Sequence, residues 1–425
     1  MLDRKRVAFG AIFAAILLVV TLGGVELMAS FFVPSWPARA MLGREPRTTP
    51  AALAVPFDRD RWLSEPENTW GMRDRERTLA KPPGTYRAVF VGDSFVESRF
   101  TPLSLPAAVQ QRLDPSEKKI EAIDLGISAT DPRSYYFRIR DVALEMTPDA
   151  LLMFIYSGND FMPPNEGYSS WPRFMDVSPG SSIVGSILPR TNWLLVNRLN
   201  LADLFKPGPQ AAPPPNEEAL IYDAVTASAD QRVQRLAAHI KKYRYPALSE
   251  ARIAEILSRG DSRFLDIALP HDGEQDYLMG WALDILMSWE TGTWPVASSR
   301  QDATRLADNG HADATLSWIK ASEHLARDRH VPLLLFLVPV GSVDPDYAAF
   351  WKPWPRAFSW NYVCEEWHAK LAAALAKNGI RFVDLRDDLA GVPGTYRKLD
   401  GHWSQKGLAI VADRVARELK NAPSQ

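Results

Sequence analysis

The residues of this sequence that could do chemistry fall at the ends of apolar segments. The run Tyr86 to Val91 (YRAVFV) leads straight into Gly92-Asp93-Ser94, and Asp400-Gly401-His402-Trp403-Ser404 stands just ahead of the last helical pattern. A serine hydroxyl is a weak nucleophile at neutral pH and needs a base within hydrogen-bond reach. His402 would supply that base, and Asp400 would hold the imidazole tautomer and stabilise the imidazolium, which makes Ser94 the nucleophile. Asp124-Leu125-Gly126 and Ser157-Gly158-Asn159-Asp160 close two further apolar runs. Each piece also has a plainer reading. Ser94 and Asp400 suit helix N-caps, His402 a surface histidine, and Asn159 with Asp160 an ordinary turn. Asp93 reads as structural, bonding backbone beside the turn. His239, His271, His311, His324, His330 and His368 show no metal-ligand spacing. The single cysteine, Cys364, excludes an intrachain disulfide and a cysteine-rich zinc site. No metal and no cofactor is expected.

The elements that must position these residues follow from hydrophobic periodicity. Strands are predicted at Tyr86–Val91, Ile120–Leu125, Ala150–Tyr156, Pro332–Val338 and Ile380–Asp384. Helices are predicted at Leu105–Leu113, Tyr135–Leu144, Ala312–Arg327, Tyr362–Lys377 and Gln405–Leu419. Buried strands alternating with helices predict an α/β fold, a three-layer α/β/α sandwich around a five-stranded parallel sheet of the flavodoxin-like kind. In such sheets ligands sit outside the carboxyl ends of the strands, where Ser94, Gly126 and Asn159 fall.

Taken together, Gly92-Asp93-Ser94-Phe95, Gly126, Asn159-Asp160 and Asp400-Gly401-His402-Trp403 resemble the SGNH, or GDSL, hydrolase superfamily in order and in placement at strand ends. The resemblance covers about residues 85 to 160 and 312 to 420. It implies a serine esterase with Ser94, His402 and Asp400 as triad. It also implies an oxyanion hole made by the backbone N–H groups of Ser94 and Gly126 and the side-chain amide of Asn159. Each such donor contributes about 3 kcal/mol to stabilising a tetrahedral oxyanion. A glycine at 126 fits independently, since a missing Cβ lets backbone approach a substrate closely. Two features depart from the family pattern. Ser157 stands where the family has glycine two before the asparagine, and one residue instead of two separates Asp400 from His402. The Asp-x-His-Trp form looks like the SGNH-like proteins of alginate acetylation, in which, however, that element precedes the serine.

The N-terminus speaks to location. Val7 to Val25 carries no charge, and at about 1.5 Å per residue it nearly crosses a hydrocarbon layer of roughly 30 Å. Arg4, Lys5 and Arg6 precede it, and Glu26, Phe31, Phe32 and Trp36 follow at interfacial depth, so the N-terminus is expected in the cytoplasm. A cleaved secretory signal is the alternative, because Ala38-Arg39-Ala40 has the small-x-small form of a cleavage site. Either way the residues beyond about 40 are expected on the extracytoplasmic side of the inner, or cytoplasmic, membrane. Glu26 reads as interfacial, with pairing to a membrane partner as the other option.

The chain is organised on this reading as 1–36, cytoplasmic tip and transmembrane anchor; 37–84, proline-rich spacer; 85–160, first half of the core; 161–310, a mostly helical insertion or lid, with helices near Glu217–Lys242 and Asp276–Trp289; and 311–425, second half of the core. Lysine and arginine number 49 against 51 acidic residues, with no basic block to neutralise phosphates, which argues against nucleic acid as a partner. The 33 prolines and 14 tryptophans suggest rigid, aromatic-decorated loops suited to stacking on sugars. The expected function is a membrane-anchored esterase or O-acyl(acetyl)transferase acting through an acyl-serine on an envelope or extracellular carbohydrate. Its partners are an acylated carbohydrate or lipid substrate, the membrane, and a membrane acyl-donor protein. The alternatives are a lipase or thioesterase with a greasy lid, and a noncatalytic scaffold subunit of an envelope complex.

Overall fold

The computed structural model describes residues 4–32, 72–98, 101–116, 118–163, 217–260, 280–292, 299–399 and 401–421, together with Asn68, Leu188, Arg190, Thr191, Leu194, Leu265 and Ala297. The chain divides into two compact units, one of residues 1–45 with 170–209, the other of 46–169 with 210–425. In the first unit α1 (Arg4–Ala29) is long and apolar enough to cross a membrane. Near its C-terminal end the Glu26 carboxylate accepts the N–H groups of Arg190 and Thr191, at 2.7 and 3.0 Å, and the Thr191 hydroxyl at 2.9 Å. A carboxylate at the end of an apolar helix is thereby satisfied by two backbone N–H groups and a hydroxyl. Trp36 and the Ala38-Arg39-Ala40 triplet lie outside the described residues.

In the second unit the sheet is built from β1 (Tyr86–Gly92), β2 (Ile120–Gly126), β3 (Ala150–Tyr156), β4 (Leu333–Val338) and β5 (Phe382–Asp384). All neighbours pair in parallel, in the order β2-β1-β3-β4-β5. This is the expected α/β doubly wound sheet. Its central strands read as unbroken apolar runs because both faces are covered. On one face Phe90, Phe154 and Phe336 stack in a row, with centroids 6.0 and 4.7 Å apart. That face is covered by α3 (Leu105–Leu113) and the C-terminal α13 (Gln405–Asn421), which are tied to each other through Arg112 and Asp413. On the other lie α4 (Pro132–Arg138), α10 (His311–Asp328) and α12 (Pro355–Lys377), with Tyr136 against Trp318.

Three helical expectations change in detail; the helix expected at Tyr362–Lys377 begins earlier, at Pro355, a proline suited to a first helical position. The helix expected at Tyr135–Leu144 begins earlier, at Pro132, where Asp131 accepts the Ser134 N–H as an N-cap. It then loosens into a wide turn over Ile139–Ala143. The helix expected over Glu217–Lys242 is two, α5 (Glu217–Val225) and α6 (Ala229–Tyr243). The Thr226 hydroxyl bonds back to the Tyr222 carbonyl at the break, a local bond that competes with helix continuation.

The 161–310 stretch is shared between the two units, since 170–209 groups with α1. Its later helices, α5 and α6, α7 (Glu250–Ser258), α8 (Gly280–Glu290) and α9 (Arg300–Leu306), belong to the second unit. Ile221, Leu236, Ile253 and Leu283 join the same hydrophobic cluster as Phe90 and Phe154. The connection runs through α11 (Pro345–Trp351) and the start of α12. Trp354 Nε1 donates to the Ile256 carbonyl at 2.7 Å, and the Ala357 N–H donates to Glu290 at 3.0 Å. These helices therefore pack as core. The tryptophans do the same: Trp318, Trp351, Trp354, Trp367 and Trp403 are all at most 5% exposed. They are too large and apolar to leave in water when core positions are available; Trp289 and Trp360 are half-buried on helices, and Trp36, Trp62, Trp70, Trp171, Trp193 and Trp294 lie outside the described residues.

Candidate active site

The strand order reverses between β1 and β3, because the chain steps from β1 to β2 on one side and then to β3 on the other. That reversal opens a crevice at the carboxyl ends of the two strands. Ser94 begins α2 (Ser94–Glu97) directly after β1, and Asn159 follows β3. The turn into α2 is tight. Asp93 caps it, accepting the Phe95 N–H at 2.9 Å, and Ser98 closes it in the left-handed region at φ 46°. Arg73, from the stretch before the core, is 1% exposed and donates to the carbonyls of Glu97, Ser98 and Thr101, which the short helix would otherwise leave bare. Arg138 does the same for the strand ends, donating to the carbonyls of Gly92 and Leu125 and to the Thr130 hydroxyl. Two buried guanidiniums thus brace the serine from behind.

His402 Nε2 lies 2.6 Å from Ser94 Oγ across a gap of more than three hundred residues in sequence. The imidazole rests on the Phe95 ring, centroid to centroid 5.0 Å. Its loop is a tight hairpin in which Tyr396 pairs with Trp403 and the Arg397 N–H donates to the His402 carbonyl at 2.8 Å. Gly401 turns that hairpin at φ +71°, a conformation that costs little without a Cβ. Trp403 packs edge-on to Phe95 at 4.8 Å. The tryptophan of Asp-x-His-Trp therefore wedges the histidine loop against the serine helix. Asp400 lies outside the described residues.

The three expected oxyanion donors are placed differently. The Ser94 N–H is the first of its helix and so has no acceptor within it. Asn159 is exposed on the crest of its turn, with its amide directed to the Asp93 carboxyl. The Gly126 N–H is occupied, donating to Asp124 Oδ1 at 2.7 Å. It would have to give up that bond to serve an oxyanion. A second reason for glycine at 126 is steric. A Cβ there would sit 2.5 Å from the Glu97 backbone nitrogen and 2.8 Å from Val96 Cβ. Gly126→Ala is expected to cost about 1–3 kcal/mol by forcing β2 and α2 apart. Equilibrium urea unfolding checks this, and an unchanged midpoint would contradict it.

Asp93 and Asp160 form a buried acidic pair behind the serine, at 1% and 0% exposure. Burial pushes Asp93 up to about 6, against the opposing pull of the Phe95 N–H, His402 and Asn159. Burial and the Asp93 charge push Asp160 up as well; its partners are neutral, the Tyr135 hydroxyl at 2.8 Å and the Tyr156 N–H at 2.7 Å. In the unfolded chain an aspartate titrates near 3.9. The folded state therefore holds the Asp93 proton more tightly, and stability present below about pH 4 is lost as pH rises towards 6. Asp93→Asn keeps an oxygen for the Phe95 N–H and removes this titration. Its melting temperature relative to wild type is expected to rise by a few degrees at pH 8 and not at pH 4. Equal shifts at both pH values would show that the change acts through capping alone.

Ser94, His402 and Asn159 lie at the carboxyl edge of the sheet, where the sequence places them. Sequence reasoning missed Asp344, Arg73 and Arg138, and it passed over His368. Asp344 has no exposure and accepts the N–H groups of Asp346, Gly394, Thr395 and Tyr396. An Asp directly before a proline, Asp344-Pro345, is an N-cap signature that could have revealed α11. The arginines carry no local signal.

No family model matches this chain, and no curated protein matches it. Among solved structures, a GDSL-like lipase from Bacteroides thetaiotaomicron is similar over 79% of this chain and 89% of its own, at 11% identity and a TM-score of 0.32. A protein described as an acylhydrolase from Bacteroides fragilis is similar over 79% of this chain and 86% of its own, at 12% identity and the same TM-score of 0.32. Scores this low transfer no activity. The fold rests on the strand order and register above, and the site on its own geometry.

Proposed function

We propose that this chain is a serine ester hydrolase or O-acyltransferase, held to the cytoplasmic membrane by α1, whose catalytic domain works on acyl esters of an envelope or extracellular carbohydrate. The observation that carries the reading is the 2.6 Å contact of His402 Nε2 with Ser94 Oγ at the carboxyl end of β1. His402 takes the serine proton as Oγ attacks the acyl carbonyl. The tetrahedral oxyanion meets the Ser94 N–H and the Asn159 amide, which must turn from the Asp93 carboxyl to reach it, and collapse expels the first alcohol with the proton returned by His402. Water or a sugar hydroxyl then resolves the acyl-serine by the same steps in reverse. Asp400 is assigned to the second imidazole nitrogen.

Orientation follows from Arg4, Lys5 and Arg6 on the cytoplasmic side of α1. The carbohydrate assignment draws on the Asp-x-His-Trp form and on export, with a membrane acyl-donor protein as the partner in the transferase variant. Nitrophenyl esters from acetyl to dodecanoyl, each with and without a sugar-alcohol acceptor, test it on the full chain in detergent. Preference for acetyl, with product partitioning to the added hydroxyl, supports the carbohydrate transferase. A preference of tenfold or more for long chains would replace it with a lipase.

A further inference from the structure

A second Ser–His–Asp chain lies within this domain. Ser157 Oγ is 2.6 Å from His368 Nδ1, and His368 Nε2 is 3.0 Å from Asp384 Oδ1. Asp384 is in turn held by the Arg386 guanidinium and backbone N–H. Ser157 and His368 are each 2% exposed, so the hydroxyl is closed to a substrate. Burial pushes the His368 imidazole below its ordinary value and keeps it neutral near pH 7. Although burial works against it, His368 and Arg386 bring the Asp384 carboxyl below its usual range. A neutral ring facing a carboxylate through Nε2 carries its proton there, which leaves the Nδ1 lone pair to accept the Ser157 hydroxyl. The chain thus runs from β5 through α12 to the turn after β3.

That turn is the one that carries Asn159. Ser157 also donates its N–H to the Val338 carbonyl at 3.0 Å, which fixes the entry to the turn. The exit is fixed by Asp160, through the Tyr135 hydroxyl, the Tyr156 N–H and the Thr315 hydroxyl on its carbonyl at 2.9 Å. Between them Gly158 lies so close to the Tyr156 ring that a Cβ would come within 2.3 Å of it. Of the four turn residues only Asn159 is exposed. A donor aimed at a transition-state oxyanion is effective to the extent that its position is settled beforehand.

We propose that Ser157, His368 and Asp384 are positioning residues that hold the Asn159 turn so that its amide is set for the oxyanion formed at Ser94, an inference that rests on the esterase reading above. A buried polar network with no such role would alter stability alone, whereas positioning alters kcat through Asn159. In the full chain, Ser157→Ala removes one hydroxyl and nothing else. It is expected to lower kcat about 10- to 30-fold with KM within about twofold. Asn159→Ala is expected to lower kcat about 10²-fold, and adding Ser157→Ala to it should cost nothing further, because the two act as one unit. His368→Asn, which keeps an acceptor at the Nδ1 position, should retain more activity than His368→Phe. Additive losses in the double variant, or an unchanged kcat in Ser157→Ala, would overturn the proposal.

Amide hydrogen exchange supplies an arm that does not depend on turnover. Peptides spanning the turn 157–160 should exchange about tenfold faster in Ser157→Ala while those from β4 and α12 stay as in wild type. Unchanged exchange in the turn overturns the positioning role whatever the activity. A folded wild type with no ester turnover would instead sink the Ser94 esterase reading, and the exchange result would still decide whether this chain holds the turn.

Discussion

Ser94→Ala is expected to lower ester turnover by about 10⁴-fold or more, and His402→Ala by about 10²- to 10⁴-fold. The difference has a physical basis. Without Oγ no acyl-enzyme forms, and only water attacking an oriented ester remains. Without the imidazole the serine still stands at the end of β1 with its N–H and the Asn159 amide in place, and hydroxide or buffer can act as base. Combining the two should cost little more than Ser94→Ala alone, since both remove the same step. Nitrophenol release from a short-chain ester measures all three, and labelling by a serine-directed phosphonate should be lost in Ser94→Ala and slowed in His402→Ala. Both positions border the crevice, so melting temperatures should stay near wild type and keep loss of chemistry apart from loss of fold. A Ser94→Ala protein with wild-type turnover would falsify the assignment.

The architecture was legible because a parallel sheet covered on both faces leaves an unusually plain trace. Each central strand must be apolar at successive positions, and Ala150–Tyr156 does so without interruption. Chain order then did the rest, since each strand ends in the residues it presents at one edge. The serine and histidine are joined by 2.6 Å in space and by no periodicity in sequence; what linked them was that both stood at element ends and had complementary chemistry. The buried polar groups offered no such handle. Ser157 and His368 lie 211 positions apart, and in isolation a histidine within a helix looks like any other. Arg73 sits in a stretch with no periodic pattern, yet its guanidinium closes the serine helix. A role defined by which distant carbonyl happens to be bare cannot be read from neighbours in sequence. That five of the described tryptophans are core was hidden for a related reason: composition counts them without saying which face they occupy.

The largest stability effect is expected at Asp344, and it should reach the active site. Its carboxylate accepts four backbone N–H groups: that of Asp346, which starts α11, and those of Gly394, Thr395 and Tyr396. No side-chain cation stands among these acceptor contacts; the carboxylate serves as a hub for otherwise orphaned donors. Asp344→Ala leaves them buried and unpaired at about 1–3 kcal/mol each before water relieves some of the cost, so a loss of about 4 kcal/mol is expected. Asp344→Asn should fall between, because one oxygen still accepts while its NH₂ faces donors. The consequence for chemistry runs through the hairpin. Tyr396 pairs with Trp403, Arg397 holds the His402 carbonyl, and Trp351 Nε1 from α11 donates to the Lys398 carbonyl at 2.7 Å. Loosening the 394–396 segment lets the His402 loop drift, and a displacement of about 1 Å is enough to lower kcat about 10²-fold. Asp344→Asn under conditions where it is fully folded should therefore show reduced kcat with KM little changed, alongside a lower urea midpoint. A lower midpoint with wild-type kcat would mean that the hairpin is held by Trp403 packing against Phe95, with Asp344 serving only the fold.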